Sequence, residues 1–88
     1  MAYKLNNNVE LQPVGDQLIV LDLTGNTYYA LNATARFMVE LLLSGHAAED
    51  VVIATTQQFA AENEVISRDL EALIADLVQK QLIVDSRC

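Results

Sequence analysis

Few of the 88 residues are of types that carry out covalent chemistry, and the chain has one His, His46, and one Cys, Cys88. A lone His with no second His and no neighbouring Cys does not complete a metal site from this chain alone. Beside Gly45, at a helix junction, it reads as a solvated or capping side chain. Cys88, the last residue, has no partner for an internal disulfide or a Cys-rich metal site, and a frayed terminal thiol is the simplest reading. Ser44, Ser67 and Ser86 have no base at hand beyond His46, and none stands in the Gly-x-Ser-x-Gly context that exposes a nucleophile. Asp69 and Asp76 fall on one helical segment and Glu49 and Asp50 are adjacent, yet with 12 acidic residues in the chain such pairs arise as ordinary solvated helix faces. The three Gly are isolated from one another and form no phosphate cradle. The expectation is a protein without catalytic residues, metal or cofactor, and so not an enzyme.

Binding is what remains, and charge narrows the choice of partner. Twelve acidic against five basic side chains leave a formal net charge of −7. That balance opposes any footprint that must neutralise phosphates, so neither nucleic acid nor an anionic membrane is expected as a partner. The longest purely apolar runs, among them Leu18 to Leu21, Tyr28 to Leu31 and Val51 to Ala54, fall far short of the ~18–20 residues of a membrane span. The opening Met1-Ala2-Tyr3-Lys4-Leu5 followed by Asn6-Asn7-Asn8 lacks the apolar centre of a signal peptide. A hydrophobic content of 52% is too high for a disordered acidic tail. The expectation is a single domain over residues 1–88, small, soluble and cytoplasmic.

The periodicity changes near Asn32, from strand-like to helical. Residues 1–8 read as a loose lead-in. Val9-Glu10-Leu11-Gln12 alternates and stops at Pro13, whose missing N–H suits a sheet edge or a strand end. Gly15-Asp16 marks a turn. Leu18 to Leu21 is the second strand, and Thr24-Gly25-Asn26 turns into the third, Thr27-Tyr28-Tyr29-Ala30-Leu31, with Tyr29 and Leu31 on one face and Tyr28 and Ala30 on the other. Asn32 is placed to cap a first helix that runs from Ala33 to Ser44-Gly45 with Ala35, Met38, Leu41 and Leu42 as its apolar stripe. A second helix is expected from Ala47 or Ala48 to about Ala60, with Val52, Thr56 and Phe59 inward. A third runs from Val65–Ser67 to about Lys80, with Ile66, Leu70, Leu73, Ile74 and Leu77 at spacings of three and four. Leu82-Ile83-Val84 follows as a short apolar tail. The fold class is α+β, a three-stranded antiparallel sheet followed by three helices in a winged helix–turn–helix-like order.

That order is one DNA-binding proteins use, but a recognition helix presents Arg and Lys to the duplex. The third helix offers Arg68 and Lys80 against Asp69, Glu71 and Asp76, and the second offers no base. The alternative left open is an acidic winged-helix transcription regulator or protein-interaction adaptor. The Tyr-rich third strand suggests a different ligand. At a sheet edge it would present unpaired N–H and C=O groups to a guest strand, with the third helix supplying pockets for alternate guest side chains.

The segment Asp22-Leu23-Thr24-Gly25-Asn26-Thr27-Tyr28-Tyr29-Ala30-Leu31-Asn32-Ala33-Thr34-Ala35 resembles the Asp…Gly…Tyr-Tyr-x-Leu-Asn-x-x-Ala signature of PqqD-like proteins. These are peptide-recognition elements of ribosomally synthesised and post-translationally modified peptide (RiPP) pathways. Leu42-x-x-Gly45, Glu49-Asp50-Val51 and Val65-x-x-x-Asp69-Leu70-x-x-Leu73-x-x-x-Leu77 fit the same pattern, so the resemblance covers about Val9 to Val84. Within the family the chain is most similar to the stand-alone leader-binding proteins of lasso-peptide pathways, and Leu23-Thr24-Gly25 stands where the pyrroloquinoline quinone members have Pro-Glu-Gly. Two departures are a Gln at 81, where the family often has Gly, and Thr55-Thr56 in a region that usually holds Leu. The resemblance implies non-catalytic binding of the leader segment of a precursor peptide, presented to a processing protease or modifying synthetase. It implies a guest antiparallel to Thr27, Tyr28, Tyr29, Ala30 and Leu31, with Asp69, Leu70, Leu73 and Asp76 as pocket wall. The acidic pair would be available to a basic leader residue.

Overall fold

The computed structural model describes residues 3–85, so Ser86 and Cys88 lie outside the described residues. In chain order the elements are β1 (Tyr3–Leu5), β2 (Val9–Val14), β3 (Gln17–Asp22), β4 (Thr27–Leu31), α1 (Ala33–Leu43), α2 (Ala48–Phe59), α3 (Asn63–Gln79) and β5 (Ile83–Asp85). β2, β3 and β4 form an antiparallel meander, and β1 pairs antiparallel with β5 in a second, two-stranded sheet. The expected α+β architecture of three strands followed by three helices is therefore present, with one addition. Part of the stretch expected as a loose lead-in is a strand.

β1 was hidden because three residues carry no usable period and because its partner lies at the far end of the chain. Tyr3 pairs with Asp85, Lys4 with Val84 and Leu5 with Ile83. The pairing continues into the loop, where Asn6 N–H donates to Leu82 O at 3.1 Å and Asn6 Nδ2 donates to Gln81 O at 2.8 Å. Gln81 has φ 60°, a left-handed backbone that Gly adopts without a Cβ clash. The Asn6 amide thus helps to hold that conformation at Gln81, the position where the resemblance leads to the expectation of Gly.

β2 does not stop at Pro13 but continues to Val14. Leu23 N–H donates to Asn8 O at 2.8 Å, so in the shared register the β2 residues at 8, 10, 12 and 14 bond to β3. The groups at 9, 11 and 13 then point to the open side. Pro13 sits where no N–H is needed, and it blunts that edge. The strands turn through Gly15-Asp16, flanked by the Val14–Gln17 pair, with Gly15 at φ 62°, the first-position requirement of a type II′ hairpin turn.

The β3–β4 turn is organised by Asp22, whose Oδ1 accepts from the N–H groups of Thr24 and Gly25, each at 3.1 Å. A Cβ at Gly25 would lie 3.0 Å from Asp22 Oδ2, so any other residue there would have to push that carboxylate aside by a few tenths of an ångström. Asn32 caps α1, its Oδ1 accepting from Ala35 N–H at 2.9 Å, a contact that contributes about 1 kcal/mol in such positions. Arg36 fastens α1 to the hairpin, Nη1 donating to the carbonyls of Gly15 and Gln17 at 3.2 Å each.

The core is one cluster in which Leu18, Val20 and Leu31 from the sheet meet Met38, Val39 and Leu42 of α1, Val51 and Val52 of α2, and Ile66, Leu70, Leu73 and Leu77 of α3. α2 is turned by about one residue from the expected face. Val51, Val52 and Thr55 point inward, while Phe59 is 37% exposed and Thr56 half-buried. Thr55 is tolerated inside because its Oγ1 donates to Val51 O at 2.6 Å, which leaves the hydroxyl satisfied and the methyl free to pack.

Candidate functional site

β4 is an edge strand, and its register decides which of its backbone groups are free. Since the odd-numbered residues of β3 bond to β2, the even-numbered ones, Leu18, Val20 and Asp22, bond to β4. Their partners Leu31, Tyr29 and Thr27 are therefore committed to the sheet. The N–H and C=O groups of Tyr28 and Ala30 face away from it, and among the described residues no other hydrogen bond uses them. This edge carries no Pro, bulge or charged side chain to blunt it, unlike the β2 edge.

Beside that edge lies a groove of about 640 Å³. α1 packs against both β4 and α3 and so holds the two apart. Its Thr34, Ala35 and Met38 form the floor, α3 supplies Val65, Ile66, Asp69, Ala72, Leu73 and Asp76 as one wall, and Tyr29 with Asn32 forms the opposite lip. Phe59 and Ala61, from the end of α2 and the following loop, close the end nearest the α3 N-terminus. Phe59 is held there by an edge-to-face contact with Phe37, ring centroids 5.5 Å apart at 80°. From Val65 to Asp76 the wall runs about 16 Å along the helix axis, the length of about five residues of extended chain.

The other end of the groove is tied shut. Tyr29 Oη donates to Asp76 Oδ2 at 2.6 Å, and Lys80 Nζ donates to Asp76 Oδ1 at 2.8 Å while lying 5.2 Å from the Tyr29 ring centroid. The Lys80 and Tyr29 hydrogen bonds hold the Asp76 carboxyl below its ordinary range. Donation to Asp76, with partial burial, pushes the Tyr29 phenol above its ordinary value.

The nine residues singled out from the sequence therefore fall into three groups. Tyr29, Asp69, Leu73 and Asp76 line the groove together. Thr27, Tyr28 and Ala30 lie exposed along β4, outside the groove lining. Leu31 and Leu70, each 2% exposed, are core residues, so the pocket-wall role expected for Leu70 does not fit its position. It follows Asp69 by about 100° around the helix and turns under the wall. The expectation that both acids would be available to a basic guest residue also changes, because both oxygens of Asp76 are already occupied. Among the described residues Asp69 alone of the two has no partner. The floor residues and Phe59 were not identified from the sequence. Thr34 and Ala35 follow directly on Asn32, whose cap was legible, but the inference that α1 underlies the groove needs the tertiary packing.

Among the described residues no three His, Cys, Asp or Glu side chains are grouped to hold a metal ion, and no helix is long and apolar enough to cross a membrane. Residues 17–83 match the family described as Coenzyme PQQ synthesis protein D (PqqD). No curated protein matches the sequence. Two solved structures are similar over nearly the whole chain. The structure of TbiB1 in complex with the TbiA(beta) leader peptide superimposes with a TM-score of 0.83 at 25% identity, covering 97% of this chain and 99% of that one. A lasso peptide synthetase B1 complexed with the leader peptide superimposes with a TM-score of 0.88 at 26% identity, covering 97% and 100%.

Proposed function

The chain belongs to the PqqD family, and on that premise we propose that it is a non-catalytic recognition element that captures the leader segment of a precursor peptide in a RiPP pathway of the lasso type. The observation that carries this reading is the pairing of two features at one place: an edge strand with free groups at Tyr28 and Ala30, and an apolar groove alongside it. The similarity to two leader-peptide complexes over almost the full length supports the same reading.

The leader adds as a strand antiparallel to β4. Its backbone exchanges N–H···O=C bonds with Tyr28 and Ala30, which requires no particular guest sequence. Specificity comes from the guest side chain opposite Tyr29, which points to the same face as Tyr29 and so enters the groove toward Met38, Phe59 and Leu73. With the backbone and one end of the groove pre-organised by the Tyr29–Asp76–Lys80 tie, little ordering cost falls on the protein, and the guest bears most of it. The bound leader is then presented to a processing protease or a modifying synthetase in the cytoplasm, and the chemistry is theirs.

Titrating the purified protein with the leader peptide encoded beside its gene, by calorimetry, tests the reading. A low-micromolar to nanomolar Kd is expected, about −8 to −12 kcal/mol. No heat and no shift in fluorescence anisotropy at tens of micromolar protein would overturn it.

A further inference from the structure

One large aromatic side chain is left over by the groove. Tyr28 is 73% exposed and lies on the face of the sheet opposite Tyr29, away from the helices. The register places Leu21 directly across from Tyr28, and Ile19 directly across from Ala30, both half-buried on that outer face. Tyr28 and Ala30 are also the two residues whose backbone groups face the open edge. A guest strand that bonds to them must therefore set two of its own side chains directly opposite them, on the outer face.

We propose that the outer face of β4 is a second, shallow apolar subsite, formed by Tyr28, Ala30, Ile19 and Leu21, that reads the two guest residues flanking the one inserted in the groove. The inference rests on the strand-addition reading above and goes beyond it. What covers the exposed Tyr28 ring is fixed by the register. Its Leu21 side is already occupied, and its other side is the position of the next strand. Ala30, two residues along the same edge strand from Tyr28, is small, so a large guest side chain opposite it reaches over the methyl toward Ile19. The guest class this selects is an extended peptide with apolar residues at adjacent positions, facing both sides, in place of the simple alternation a groove alone would require. Polar outward residues would leave Tyr28 exposed and forgo that burial.

The test is a mutant cycle between Tyr28→Thr, which keeps a β-favouring residue at an exposed site, and a Ser scan of the fluorescein-labelled leader peptide encoded beside the gene. Two sensitive peptide positions should flank the groove position. Tyr28→Thr should weaken binding by roughly threefold to tenfold and remove most of the sensitivity at one flanking position while leaving that at the groove position unchanged. An unaltered Kd for Tyr28→Thr, or losses that simply multiply with every peptide substitution, would overturn the outer subsite. Replacing the guest amide that donates to Ala30 O by an ester separates this from the premise. If the ester weakens binding while Tyr28→Thr does not, only the outer subsite is wrong. If neither change weakens binding, strand addition itself is wrong, and the subsite with it.

Discussion

Tyr29 and Asp76, 47 residues apart in the chain, are joined by a hydrogen bond of 2.6 Å that links β4 to α3 across the end of the groove. The same carboxylate holds Lys80 through its other oxygen at 2.8 Å. The two elements that a guest must fit between are thus fixed to each other by a charged contact, and the groove has a set width before any guest arrives.

The pH dependence of this tie has a definite sign. Asp76 has a lowered pKa, chiefly from Lys80 and then Tyr29, so its stabilising share is present above the ordinary carboxylate value of ~3.9 and is lost as pH falls through the lowered one. Tyr29 has a raised pKa from donation to Asp76, so its share is present below ~10 and is lost as pH rises through the raised value. The Tm of the wild type should therefore show an acid limb that Asp76→Asn reduces and an alkaline limb that Tyr29→Phe reduces. Superimposable Tm–pH curves for the three proteins would show that the tie is not formed in solution.

Proline substitutions separate the two kinds of backbone group on β4. Thr27 donates to β3, so Thr27→Pro removes a sheet hydrogen bond and should cost ~1–3 kcal/mol of stability. Ala30 donates to no described residue, so Ala30→Pro should leave the Tm nearly unchanged and weaken leader binding at least tenfold. The reverse pattern, measured by thermal melts and anisotropy on both variants, would place the free groups on the odd-numbered residues and invert the register.

Leu70 and Leu73 are adjacent turns of one helix with different tasks. Leu70→Ala should cost ~2–5 kcal/mol of stability by leaving a cavity under α3. Leu73, buried but lining the groove, should on substitution by Ala lose both stability and affinity. Urea melts paired with peptide titration check this, and equal affinity loss for the two variants after correction for folded fraction would return Leu70 to the pocket wall.

Ala60 ends α2 with φ 51° and ψ 41°, a left-handed backbone that disfavours a Cβ. Ala60→Gly should raise stability by ~1 kcal/mol. A lower urea midpoint for this variant would mean that the Gly entropy cost outweighs the strain relieved.

Much of the fold was legible because the signals were local. The Asn32 cap, the Ser44-Gly45 stop and the three-and-four spacing from Ile66 to Leu77 each lie within one element. The structure puts α1 where they pointed and ends α3 within a residue of Lys80, but it starts α3 at Asn63, two to four residues ahead of the expected Val65–Ser67. What was not legible depended on distance or on a satisfied polar group. β1 needs β5, Pro13 is admitted to a strand by the orientation of an edge, and Thr55 is tolerated inside because its hydroxyl donates to Val51 O. The site was legible in the same measure. The strand from Thr27 to Leu31 and the acids at 69 and 76 could be read from the chain, whereas the floor from α1, the Phe59 end and the commitment of Asp76 to Tyr29 and Lys80 arise only when the elements pack.

Amide hydrogen exchange followed by NMR tests the central claim, strand addition at β4, most directly. In the free protein the amides of Tyr28 and Ala30 should exchange fast, and those of Thr27, Tyr29 and Leu31 slowly. On saturation with the leader peptide, Tyr28 and Ala30 should slow by at least about tenfold while the other three change little. Saturable binding that leaves Tyr28 and Ala30 exchanging as fast as before would contradict the account.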